Sequence, residues 1–403
     1  MTTEEISPVA SAPAPPIEPF ILHVPEEELG YLHDRLRRAR LPEPETVSDR
    51  PGEAAWTQGI PLDYVRELCR TWLEDHDWRR LESELNRRGQ WRAEIDGLGI
   101  HFLHVRSARE DARPLLITHG WPGSVVEALD VLDALVDPPA DQPAFHVVLP
   151  SLPGYGFSDK PTTTGWGLER IADGWAELMT LLGYRRFLAQ GGDWGAMVTI
   201  TLALRHPQRV LMMHTTVPHA ARPAGFPDDE LTDTERRWLD EEQQFRRTGM
   251  GYAAIQSTRP QTAGYGLVDS PTAQLAWIIE KFHDAADCDG HPENAVSRRR
   301  LLDNVAVYWF GASGASSARL YWENAGGASM ASPGLDMTTQ VTVPTAVSVF
   351  PKELRKLPRA WVEARFTDLR YWNVLPRGGH FPMLEVPDTF VAELRAAFSH
   401  APA

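Results

Sequence analysis

From residue 90 onward, short apolar runs alternate with longer amphipathic stretches. Residues 91–95 and 100–105 alternate apolar and polar side chains on either side of Asp96-Gly97, so they predict two antiparallel strands joined by a tight turn. Residues 114–118, 145–149, 187–190 and 210–215 are short apolar runs, and residues 124–135, 171–182 and 196–205 between them show helical spacing. Strands alternating with helices in this way predict a parallel sheet with crossover helices. After Val217-Pro218 the strand pattern stops: residues 232–247, 251–257, 272–284, 297–309 and 316–324 read as helices. Strands return at 341–350 and 369–374, and an amphipathic helix at 388–398 closes the chain. A helical insertion between two strands of one sheet is a lid. Ahead of the sheet, residues 25–40, 61–75 and 78–88 predict three further helices, with Pro25 suited to a first helical position. The expectation is an α/β fold with a mostly parallel, eight-stranded sheet, a helical cap and an extra helical N-terminal region. It divides into a disordered Pro/Ala/Ser-rich tail (1–18), the N-terminal helices (19–89), the first part of the core (90–217), the cap (218–335) and the second part of the core (336–403).

Composition narrows the class. A chain of 403 residues with 42% hydrophobic content can bury a large core, and a net charge of -15 without any long Lys/Arg block argues against a nucleic-acid partner. Two cysteines, Cys69 and Cys288, are too few for a disulfide framework or a cysteine-rich zinc site. The N-terminus carries Glu4 and Glu5 and no apolar core, unlike a signal peptide, and no stretch approaches the length of a membrane span. A soluble cytoplasmic enzyme without a membrane anchor is expected; a homodimer is left open. Richness in Arg, Ala and Pro fits a bacterial source of high GC content.

The chemistry centres on Gly191-Gly192-Asp193-Trp194-Gly195, between an apolar strand and a helix. This is the small-x-nucleophile-x-small elbow, with a carboxylate where many hydrolases carry a serine. A carboxylate is anionic at neutral pH and attacks carbon without a base, giving an ester that water must cleave. An acidic helix cap is the alternative for Asp193 on this motif alone. His380, in Arg377-Gly378-Gly379-His380-Phe381 after the last strand, stands where an imidazole can reach back across the sheet. Chain order places the orienting acid between them: Glu353 fits best, with Asp336 and Asp368 as rivals. The turn His119-Gly120-Trp121-Pro122-Gly123 can aim a backbone N–H at the nucleophile, and the N–H of Trp194 is the natural second donor of an oxyanion hole. His119 reads as structural, as does the turn Gly154-Tyr155-Gly156-Phe157-Ser158.

Six blocks in order carry a family resemblance: HGWPGS at 119–124, PSLPGYGFS at 150–158, QGGDWG at 190–195, GYAAIQSTRP at 251–260, ARLYWEN at 318–324 and RGGHFPMLEVP at 377–387. From about residue 19 to the end, the chain resembles the microsomal and juvenile-hormone types of epoxide hydrolase, which carry an N-terminal region on an α/β-hydrolase core. The resemblance implies Asp193 as nucleophile, His380 as base and Glu353 as acid. It also implies that Tyr252 and Tyr321, among four cap tyrosines that include Tyr265 and Tyr308, donate to the epoxide oxygen. The implied reaction takes an epoxide and water to a vicinal diol, with no metal or organic cofactor. Membrane members of the family begin with an apolar anchor helix, and the polar N-terminus here departs from that. Fourteen tryptophans favour a bulky apolar or aromatic substrate, in detoxification or natural-product biosynthesis. A haloalkane dehalogenase, which also uses an aspartate, and a noncatalytic binding protein of the same fold are the competing readings.

Overall fold

The structure, a computed structural model, describes residues 17–47, 56–325 and 337–402. Residues 1–16 of the expected tail and Asp336, one rival acid, therefore lie outside the described residues. The strands are β1 (Ile17–Pro19), β2 (Gln90–Ile95), β3 (Leu98–Val105), β4 (Arg113–Thr118), β5 (Phe145–Pro150), β6 (Phe187–Gly191), β7 (Val210–Thr215), β8 (Thr345–Val349) and β9 (Leu369–Val374). They form one sheet in the order β1-β2-β3-β5-β4-β6-β7-β8-β9, so it has nine strands, one more than expected. The added strand comes from the end of the segment predicted as tail: Ile17 pairs antiparallel with Ala93 and Pro19 with Trp91. Antiparallel pairing continues through β2, β3 and β5, and every pair from β5 to β9 is parallel. Asp96 and Gly97 both take positive φ, 49° and 75°, as a two-residue hairpin with right-handed strand twist requires.

The central strands β6, β7 and β8 are buried along their whole length, which is why their sequences run apolar without alternation. Two predicted elements change shape. The stretch at 124–135 is a 3-10 turn, Val125–Ala128, followed by a short helix, Leu132–Val136. The strand predicted at 341–350 narrows to β8, with Val341 making an isolated bridge to Phe366.

The cap contains helices Asp233–Thr248, Gly251–Thr258, Pro260–Asp269, Pro271–Ala285, Arg298–Phe310 and Gly314–Ala325, inserted between β7 and β8. Pro260–Asp269 was not expected as a helix. It begins with proline at its first position and approaches the last cap helix so closely that a Cβ on Gly264 would lie 2.4 Å from the Cβ of Ala315.

The N-terminal region holds helices Glu26–Arg37, Leu62–Glu74 and Trp78–Arg87, and His76 with the last of these is tied to the cap through buried charge. Asp303 of the cap, with no exposed surface, takes His76 Nε2 at 2.9 Å, Arg80 Nη2 at 2.5 Å and Arg300 Nη1 at 3.3 Å. Arg300 also pairs with Glu84 at 2.9 Å and with Asp130 of the core at 2.5 Å.

The sheet order fixes where ligands can enter. From β4 the chain moves to one side to form β5, then returns to form β6 on the other side of β4. The loops leaving the carboxyl ends of β4 and β6 diverge there and open a crevice. Thr118 and Gly191, the last residues of those strands, are register partners, so the turn at 119–123 and the elbow at 191–195 face each other across it.

Candidate active site

Asp193 is the first residue of the helix Asp193–Arg205 and takes φ of 49°, in the left-handed region that non-glycine residues seldom occupy. The sharp turn presents its carboxylate above the sheet edge, at a helix N-terminus whose dipole favours negative charge. The flanking glycines have a steric reason. A Cβ on Gly191 would lie 2.0 Å from the Gly195 carbonyl oxygen, and one on Gly195 would lie 1.9 Å from that of Thr118. On the facing turn, a Cβ on Gly120 would come within 2.3 Å of Asp193 Oδ1.

The two carboxylate oxygens have different partners. Oδ1 accepts a hydrogen bond from the backbone N–H of Trp121 at 2.7 Å. Oδ2 faces His380 Nε2 at 3.3 Å. The N–H of Trp194 lies in the first turn of the helix, where backbone N–H groups have no intrahelical acceptor. The Trp121–Pro122 peptide is cis.

On its other side, His380 Nδ1 lies 2.9 and 3.0 Å from the two oxygens of Glu353. The Glu353 side chain is 1% exposed and that of His380 is 8% exposed. Burial opposes the protonated imidazole, but Glu353 and Asp193 together outweigh it and hold His380 well above the ordinary histidine range. Asp368, the remaining rival acid, instead pairs with Arg370 at 2.9 Å, both side chains being more than a third exposed. The glycines ahead of His380 act through close approach: Gly378 has φ of 103°, and a Cβ on Gly379 would meet the Ala285 carbonyl oxygen at 2.5 Å. That carbonyl also accepts the N–H of His380 at 3.0 Å, tying the loop to the end of a cap helix.

Of the four cap tyrosines, the structure brings two to Asp193. Tyr252 and Tyr321 line a cavity of about 130 Å³ together with Asp193 and His380. Tyr252 stacks on Trp121 at 4.9 Å between ring centroids, and Tyr321 sits edge-on to Trp194 at 4.7 Å. Burial, reinforced by Asp193, raises both phenols, so they are protonated at any physiological pH and available as donors. Tyr265 is 72% exposed, and Tyr308 is committed to the Gly123 carbonyl at 2.9 Å. Met197, Val217, Met250 and Leu354 give the cavity an apolar lining, with Arg246 and Arg355 also present.

His119 is structural. Its Nε2 accepts the N–H of Leu152 at 3.2 Å, its Nδ1 lies 2.9 Å from the Gly120 carbonyl, and burial depresses it to about 4. Sequence reasoning missed Asn304, which donates to the Pro122 carbonyl at 2.8 Å and accepts from Ser124 at 2.7 Å. It also missed Glu127, a buried acid beside Asp193 and His380.

Comparison with known proteins gives this geometry its context. The family profile described as epoxide hydrolase N terminus matches residues 17–128, and that for the alpha/beta hydrolase fold matches residues 113–277. A protein of Stigmatella aurantiaca assigned as an epoxide hydrolase is 48% identical over 95% of this chain and 84% of its own length. Epoxide hydrolase 1 of Oryctolagus cuniculus is 32% identical, over 94% of this chain and 88% of its own. The crystal structure of juvenile hormone epoxide hydrolase from the silkworm Bombyx mori superimposes with a TM-score of 0.87 at 29% identity, covering 95% of this chain and 94% of that one. The epoxide hydrolase of Aspergillus niger gives 0.84 at 32% identity, covering 95% and 96%. With the elbow, the facing turn and the cap tyrosines converging on one crevice, the chain belongs to the epoxide hydrolases of the α/β-hydrolase fold.

Proposed function

We propose that this enzyme opens its epoxide by covalent catalysis through Asp193. The observation that carries the proposal is the division of labour between the carboxylate oxygens: Trp121 N–H holds Oδ1, and Oδ2 faces His380, beside the cavity that both residues line. Oδ2 attacks an epoxide carbon while Tyr252 and Tyr321 donate to the oxygen, where negative charge develops as the ring opens. The product is an ester whose carbonyl oxygen, Oδ1, already lies against the Trp121 N–H. His380, oriented by Glu353, takes a proton from water as its oxygen bonds to Asp193 Cγ. Negative charge then collects on Oδ1, against the N–H groups of Trp121 and Trp194. Collapse of this intermediate sends the His380 proton to the departing oxygen, and the second water proton, left on the Asp193 carboxyl, replaces the one a tyrosine gave to the epoxide oxygen; the vicinal diol leaves and the carboxylate is restored. No step calls on a cofactor.

The apolar lining beside Asp193 suits an epoxide with an aliphatic or aromatic substituent. A soluble enzyme acting in the cytoplasm belongs to the same reading; among the described residues no helix is long and apolar enough to cross a membrane. A single turnover in ¹⁸O-water tests the chemistry. Attack at the acyl carbon leaves the label in Asp193 and none in the first diol released, as peptide and product mass spectra will show. Label in the first diol would mean that water attacks the epoxide directly, and the covalent route would be wrong.

A further inference from the structure

Two cavities meet at the Asp193–His380 pair and share no other lining residue. The larger, with the tyrosines, is the substrate pocket. The smaller measures about 20 Å³ and is lined by Gln190, Thr216 and Glu127 as well as the pair. That is room for about one water molecule. Gln190 Oε1 and Thr216 Oγ1 are buried there with no hydrogen-bond partner. Buried polar atoms are almost always satisfied by protein or ordered water, and a small cavity edged by several of them is where a water is retained.

Glu127 supplies a further polar group. It sits in the 3-10 turn Val125–Ala128, and its carboxyl fills the space over Gly123, where a Cβ would come within 1.4 Å of Oε1. Burial pushes this carboxyl up to about 8, with His380 pulling the other way and Asp193 adding to the rise. At neutral pH it is therefore mostly a neutral acid, offering one donor and one acceptor. Once the ester forms, the substrate's carbon skeleton occupies the larger cavity and obstructs that approach to Asp193 Cγ. The small cavity opens on Asp193 and His380 from elsewhere.

We propose that Glu127, with Thr216 and Gln190, holds the hydrolytic water in the small cavity and is a positioning residue for ester hydrolysis alone. This rests on the covalent reading above. The water's oxygen bonds to Asp193 Cγ as one of its O–H bonds breaks, the proton passing to His380 Nε2. The acyl C–O bond to the substrate then breaks with its electron pair, the departing alkoxide takes that proton to complete the diol, and the second water proton, left on the Asp193 carboxyl, replaces the one a tyrosine gave to the epoxide oxygen. Glu127 keeps its own proton throughout.

Rapid mixing with styrene oxide, or whichever aryl epoxide the wild-type enzyme turns over, separates ester formation from its hydrolysis. Glu127→Leu is expected to form ester within about twofold of the wild-type rate and to hydrolyse it about 10²-fold more slowly, the scale of loss for a misplaced reactant. Ester then accumulates in the steady state, and kcat and KM fall together while kcat/KM holds. Glu127→Gln, neutral and of the same shape, is expected to restore hydrolysis to within about fivefold. Thr216→Val, read in the same way, slows hydrolysis alone and keeps the test open if Glu127→Leu does not fold. Hydrolysis left unchanged by the folded variants, or both half-reactions slowed by one factor, overturns the proposal. If His380→Gln forms no ester in parallel runs, the covalent reading itself fails instead.

Discussion

His380 faces two carboxylates, and the covalent cycle proposed for this enzyme neutralises one of them. In the free enzyme Asp193 Oδ2 stands 3.3 Å from Nε2, and the Asp193 charge is among the causes that hold His380 in its protonated form. In the ester that charge is gone while Glu353 remains. Coulomb's law for unit charges at this separation gives about 1 kcal/mol in water and about 5 kcal/mol at an effective dielectric constant of about 20. With His380 8% and Asp193 24% exposed, the pair lies between these limits. Losing the interaction shifts the protonation equilibrium by between about tenfold and a few thousand-fold. Ester formation should therefore lower the affinity of His380 for its proton and prepare it as the base that the next step requires. Asp193→Asn reproduces the neutral side chain without chemistry. Its effect can be read by NMR titration of histidine-labelled protein, with the His380 signal assigned by its loss in His380→Gln and the absence of deamidation checked by intact mass. His380 is expected to deprotonate at a lower pH in the variant than in the wild type. An unchanged or upward midpoint would refute the argument, since it would mean that Glu353 and burial alone set the imidazole.

Tyr252→Phe and Tyr321→Phe should each slow ester formation by about 10²-fold, the usual cost of one donor to a developing oxyanion, with hydrolysis of the ester much less affected; stopped-flow quenching of tryptophan fluorescence will follow both steps, since Trp121 and Trp194 touch these rings. Tyr308→Phe removes the bond to the Gly123 carbonyl, and urea melts should show a loss of about 1 to 3 kcal/mol, the cost of leaving a buried acceptor unpaired. Glu127 has a linkage signature of its own: its folded value, about 8, is raised from an ordinary 4.5, so its contribution to stability is complete below about pH 4.5 and is lost as the pH rises towards about 8. Urea melts of Glu127→Gln at pH 5 and pH 8 should therefore show the variant gaining on the wild type by a few kcal/mol at the higher pH, and equal differences at the two pH values would show that the carboxyl is not held neutral.

What could be read in the sequence was what backbone geometry forces on residue type. Asp193 was legible because the elbow admits no Cβ at 191 or 195, and His380 because it lies in the loop that follows the last strand. Glu353 was only preferred over Asp336 and Asp368, since a local pattern cannot say which carboxylate lies under a distant imidazole. The tyrosines came from family resemblance, because a helical tyrosine facing a pocket and one facing a core have the same local sequence. Glu127 left no signal: an acid in the first turn of a helix is ordinary, and its burial is decided by Gly123 and by loops from elsewhere in the sheet. Strand β1 was lost for a similar reason. Three residues carry no periodicity, and their place depends on long-range contacts such as Phe20 packing edge-on to His101 at 5.0 Å.

The N-terminal region takes on a function once these contacts are followed in sequence. His76, Arg80 and Glu84 hold the buried Asp303 and Arg300 of a cap helix. On the same helix, Asn304 and Tyr308 bind the carbonyls of Pro122 and Gly123. Those peptides follow Trp121, whose N–H is held on Asp193 Oδ1. A buried ion pair stripped of one partner costs about 3 to 5 kcal/mol, so the cap helix cannot slide or rotate freely while the N-terminal helices remain docked. Accurate aim matters most at an oxyanion donor, where catalysis depends on dipoles fixed before charge develops. On the proposed mechanism, the helices ahead of the sheet thus help to fix the Trp121 N–H, through a cap helix that carries none of the proposed nucleophile, base or acid.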